Sequence, residues 1–161
     1  MKSASSKEIS TELKLSTHKE LVELCLRLAR FKKENKELLT YLLFESDNET
    51  AYINAIKQEI DEQFNAINKS SYYFIKKSVR KILRNINKYN RYTNHKETEV
   101  ELLIYFCRKL KEMKPSMEGN VVLKNIFENQ LKKAKKITLN LHEDLQRDYG
   151  IEVKELMGTK E

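Results

Sequence analysis

An all-α fold, a single-domain bundle of about five mostly antiparallel helices, is predicted by three features of this sequence. Its 161 residues contain one proline, Pro115, and three glycines, at 119, 150 and 158, too few turn-formers for the tight turns of a β fold. Apolar residues recur at three- and four-residue steps over most of the chain, the period of an amphipathic helix. Helix-start signals, a Ser, Thr or Asn ahead of carboxylates, stand before several of these runs. A chain of this length buries roughly two-thirds of its unfolded surface in one domain without needing a metal or a disulfide. Its 40% hydrophobic and 34% charged content suits thin helices with wet outer faces.

Residues 1–15 are polar and read as a flexible N-terminal segment, with Leu13 and Leu15 available to dock on the body. The bundle is expected over 16–150. Thr17 and Glu20 have the spacing of a capping box, in which each side chain satisfies a backbone amide at a helix start. From there Leu21, Leu24, Leu28, Phe31, Leu38 and Leu42 form an apolar stripe that predicts one helix to Phe44, about 40 Å long if unbroken. Asn35 interrupts the stripe, and Lys32–Glu37 is its weakest part. Such an Asn either fixes register in a self-associating seam or marks where a long helix becomes wet, and its charged neighbours favour the second reading.

Ser46 and Glu49 repeat the capping spacing before Tyr52, Ile53, Ile56, Ile60, Phe64 and Ile67. Ser70 or Ser71 caps a third helix running to about Tyr92, and Thr93 and Asn94 offer the next cap. The fourth helix has Glu97, Glu99 and Glu101 at its start and Arg108, Lys109, Lys111 and Lys114 at its end, charges that complement the helix dipole. It stops before Pro115. A fifth helix carries Leu123, Ile126, Phe127, Leu131, Ala134, Ile137, Leu141 and Leu145 in one arc, with Gly150 as its left-handed cap. Residues 151–161 form a short tail. No fixed period of helix pairs is present, so a solenoid is the weaker architecture.

The third helix holds the most informative charge pattern. Lys69, Lys76, Lys77, Arg80, Lys81, Arg84, Lys88 and Arg91 include no intervening carboxylate and fall in one arc of about 140° at 100° per residue. Tyr72, Ile75, Val79, Ile82, Leu83, Ile86 and Tyr89 lie opposite. Eight of the 31 cations sit in this segment, so the formal charge of +7 is local. Lys76 to Arg91 covers about 22 Å, matching roughly six phosphates on one duplex strand. Tyr73 lies within the arc and Tyr92 at its edge, where rings could stack on unpaired bases. The competing explanation is a plain solvated face, neutralised in part by Glu59, Asp61 and Glu62 of the preceding helix. Lys132, Lys133, Lys135 and Lys136 spread over half a circumference and serve solubility.

Other chemistries have little footing. His18, His95 and His142 are scattered, and Glu45, Asp47 and Glu49 lack the glycine and the closing glutamate of a calcium loop, so neither a metal nor another cofactor is expected. No nucleophile elbow or phosphate-binding glycine loop exists, and the protein reads as a non-enzyme. Cys25 and Cys107 each fall on an apolar stripe and read as two buried free thiols. Met1–Ser16 has no apolar run of signal-peptide length and no segment is long enough to span a bilayer, which predicts a cytoplasmic protein. Stable membrane association is not expected, because the apolar arc of the basic helix is needed for the core. The resulting expectation is a binding protein that contacts nucleic acid or an acidic protein surface through Tyr73, Lys76, Lys77, Arg80, Lys81, Arg84, Lys88 and Arg91. The alternative is an interaction or scaffold module with an incidental basic face, and the first helix is the candidate for homo-oligomer formation.

Overall fold

The computed structural model describes residues 2–158, which are helical over most of their length, with no strand among them. The all-α expectation holds, but the described residues form eight α-helices rather than about five. These are α1 (Ser6–Leu15), α2 (His18–Phe31), α3 (Lys33–Thr40), α4 (Glu49–Asn65), α5 (Tyr72–Thr93), α6 (Lys96–Glu112), α7 (Val121–Thr138) and α8 (Glu143–Met157). A π-helical turn, Tyr41–Glu45, follows α3, and a 3-10 turn, Met117–Gly119, precedes α7. The chain divides between Phe44 and Glu45 into two compact units.

In the N-terminal unit the expected 40 Å helix is three pieces. The Thr17–Glu20 capping box forms as predicted, with the Thr17 amide donating to Glu20 at 2.7 Å. A second box upstream opens α1, where the Ser5 amide donates to Glu8 at 2.7 Å. Its spacing is visible in the sequence, although residues 1–15 read as unstructured. The long helix breaks at Lys32, whose backbone is extended (φ −141°, ψ 142°). Asn35 explains the break: its Nδ2 donates to the Leu28 carbonyl at 2.8 Å, satisfying an acceptor that the end of α2 leaves open. Asn35 therefore stands in the first turn of α3 and not inside a continuous helix.

The second unit, α4–α8, is built round α6, which packs against α4, α5, α7 and α8. Val100, Leu102, Leu103, Ile104, Phe106, Cys107 and Leu110 are all at most 2% exposed, and at 100° per residue they cover an arc of about 200°, wide enough to meet several neighbours. Polar links tie its neighbours to it. Lys57 of α4 meets Glu101 at 2.6 Å, Arg108 meets Glu152 of α8 at 2.6 Å, and Lys111 donates to the Leu156 carbonyl at the end of α8 at 2.7 Å. Tyr72 donates to the Ser116 carbonyl at 2.8 Å; a Cβ at Gly119 would stand 2.3 Å from its hydroxyl, so that approach requires glycine.

Several boundaries differ from expectation for local reasons. Asn48, not Ser46, caps α4, accepting from the Ala51 amide at 3.0 Å. Ser71 stands at the N-cap of α5 without a side-chain bond. Asn94 ends α5 in the left-handed conformation (φ 55°) rather than starting α6. The predicted fifth helix is α7 and α8, parted at 139–142. Thr138 bonds back to the Ala134 carbonyl at 2.9 Å, the Asn140 side chain takes the Lys136 carbonyl at 3.2 Å, and His142 caps the new helix. Gly150 lies inside α8, whose left-handed cap is Gly158 (φ 74°), and the segment read as a tail from 151 is helical to Met157.

Both cysteines are free, but only Cys107 is buried; Cys25 is exposed because α2 belongs to a unit with almost no core. Burial pushes the Cys107 thiol up to about 12, far from the thiolate that alkylation needs. A maleimide added to native protein is therefore expected to leave Cys107 unlabelled until denaturant is present. Mass spectrometry of the labelled peptides checks this, and rapid native labelling would show that α6 is not the central helix.

Candidate nucleic-acid interface

The face is made by α5, and its orientation is set from below. Ile75, Val79, Ile82 and Ile86, all at most 2% exposed, turn one side of the helix into the core. The opposite side is thereby held to the outside by geometry rather than by its charges. Lys77, Arg80, Lys81, Arg84 and Arg91 are exposed, and Lys76 and Lys88 are half-buried. Lys69 precedes the first turn of α5 and is not on this helix.

Among the described residues, no carboxylate of α4 forms an ion pair with Lys76, Lys77, Arg80, Lys81, Arg84 or Arg91. Glu59 accepts from the Tyr89 hydroxyl at 2.8 Å and from Gln63 at 2.6 Å. Asp61 is held by Lys109 and the Tyr105 hydroxyl, both at 2.8 Å. Burial raises Asp61, but those bonds outweigh it and hold its carboxyl below the ordinary aspartate value of 3.8. Glu62 takes Gln58 at 3.1 Å, and Glu49 accepts from Thr93 and Thr98. Among the described residues, none of Lys76, Lys77, Arg80, Lys81, Arg84 and Arg91 forms an ion pair. The Lys88 ammonium sits 4.8 Å from the centre of the Tyr89 ring.

The aromatic members divide. Tyr73 is 66% exposed at the start of the face, whereas Tyr92 is buried at 9% against Tyr89, ring centres 6.2 Å apart, and cannot meet a base. Sequence reasoning passed over Phe74. It is 42% exposed and packs edge-on against Tyr73 at 5.3 Å, so two rings stand together at one end of the cationic stripe. The signal available was the Tyr-Tyr-Phe run at the helix start, where only Tyr72 has a place in the core side.

Part of the second lysine cluster reaches this neighbourhood. Lys133 of α7 pairs with Glu99 at 2.8 Å and its ammonium lies 3.4 Å from the Asn87 side chain on α5. Lys132 lies 3.9 Å from Glu128. Their charge is thus partly compensated, unlike that of α5.

Among the described residues, no helix is long and apolar enough to cross a membrane, and no three His, Cys, Asp or Glu side chains gather as a metal-holding group. No known protein family, curated protein or solved structure matches the chain.

Proposed function

We propose that this protein is a non-catalytic binding protein that holds an acidic partner against the exposed face of α5, and that the partner is a nucleic-acid backbone. The observation that carries this reading is the pairing pattern: among the described residues, Lys76, Lys77, Arg80, Lys81, Arg84 and Arg91 of α5 form no ion pair, while Asp61 of α4 is paired with Lys109 of α6. Lys76, Arg80, Arg84 and Lys88 follow one another at four-residue steps, and like-charge neighbours at that spacing cost about 0.2–0.5 kcal/mol each. A row of phosphates relieves that repulsion and releases counterions of its own. The Tyr73–Phe74 pair adds a stacking platform of the kind that holds unpaired bases. The site of action in this reading is the cytoplasm, whose reducing conditions keep thiols such as Cys25 and Cys107 free.

Titration with duplex DNA, single-stranded DNA and RNA at low salt tests the proposal. Binding to at least one is expected, and Tyr73→Ala is expected to lose about 1–3 kcal/mol for single strands with little change for duplex. No binding to any of the three would defeat the reading and favour a protein-interaction module with an incidental basic face.

A further inference from the structure

We propose that the α1–α3 unit is a self-association module, occupied by a second copy of this chain paired through the apolar side of α2. The first ground is that the unit has no core of its own to account for its apolar residues. No residue of α1, α2 or α3 is buried; Tyr41, in the π turn, is the buried apolar side chain nearest to them. Eleven large apolar side chains between Ile9 and Phe44 are 40–79% exposed.

The second ground is area. Those side chains together leave on the order of 1,000 Å² of apolar surface open, comparable in total with the roughly 800 Å² each partner buries in a stable complex. The strip through Leu21, Leu24, Leu28 and Phe31 steps by three and four residues along one side of α2, the spacing with which helices pair. It is presented on a helix capped at its start by the Thr17–Glu20 box and closed at its end by Asn35. The strip is therefore a defined, short ridge rather than part of a long seam.

Charge selects the occupant. The first half of α2 holds Glu20 and Glu23 against one cation, Lys19, and the second half holds Arg27 and Arg30 with no carboxylate. A second copy running antiparallel sets the acidic half of each helix towards the basic half of the other, and a two-fold axis satisfies both ends at once. A helix lying on an anionic bilayer carries Lys and Arg along its whole polar face; here Glu20 and Glu23 offset Lys19 in the first half, which leaves only the second half basic.

Sedimentation equilibrium of the full chain tests this. The mass is expected to rise with concentration from one copy to two. Leu24→Glu combined with Leu28→Glu is expected to weaken association at least about a hundredfold, because both sit at the centre of the contact. Both positions are already exposed, so helicity should be retained. Cys25 stands near the middle of α2 and is exposed, so a short bis-maleimide is expected to join two copies of the parent chain but not of the double variant. The inference is overturned by a monomer up to about 100 μM, a concentration that populates even a micromolar dimer. Dimers that persist in the double variant overturn it too, as does a monomer that binds phosphatidylserine vesicles. It does not depend on nucleic-acid binding.

Discussion

Raising salt from 50 to 200 mM is expected to weaken duplex binding about a thousandfold, because six contacting cations give a slope near −5 between the logarithms of affinity and salt. The number six comes from Lys76, Lys77, Arg80, Lys81, Arg84 and Arg91, which form no ion pair, and not from the full count of cations in the segment. Reversing Lys77, Arg84 and Arg91 to Glu replaces half of that set with repulsive charges. Binding at 50 mM salt is expected to vanish, while helicity and melting temperature stay nearly constant, since exposed substitutions usually fall within about 0.5 kcal/mol. Fluorescence anisotropy across a salt series checks both results. A shallow slope, near −1, would mean that the α5 face does not track a backbone.

How far this site was legible depended on which physics set it. The stripe of cations and the Ile75, Val79, Ile82 and Ile86 side that anchors it follow from helical period alone, and both stand where the period places them. The state of the charges did not follow. Which partners Glu59 and Asp61 take turned on Tyr89, Gln63, Tyr105 and Lys109, and those contacts join residues about 30 to 50 positions apart or depend on side-chain direction. Tyr92 shows the same limit, since its angle on the helix puts it at the edge of the cationic arc while the folded unit buries it. Helix breaks at Lys32 and Leu139 were hidden because the apolar spacing continues across both. Asn35 and Asn140 were the local clues, each competing for a helix carbonyl. Period also underdescribed α6, where only one stripe was expected. The run Leu102-Leu103-Ile104-Tyr105-Phe106-Cys107 widens the apolar arc to more than half of the circumference, the mark of a helix with neighbours on several sides.

That central position of α6 gives the second large effect. Phe106→Ala is expected to cost about 3–5 kcal/mol, the range for removing a buried aromatic side chain, and a large share of the stability of a domain this size. Phe106 is fully buried and stands 5.9 Å, ring centre to ring centre, from Phe64 of α4. Its truncation removes both its own transfer from water and one half of a ring contact, and leaves a hole that the surrounding helices close only in part. Ile82→Ala on α5 is expected to cost about 2–5 kcal/mol by the same argument, whereas Lys77→Ala stays within about 0.5 kcal/mol. Urea unfolding with constant slope measures all three. The contrast between Ile82 and Lys77 matters for function because the two share one helix. If α5 were packed loosely, Ile82→Ala and Lys77→Ala would have equal, small effects, and nothing would hold the cations in a single row. A large Ile82 cost beside a negligible Lys77 cost means that the apolar side fixes the orientation of the helix and leaves its basic side to bind.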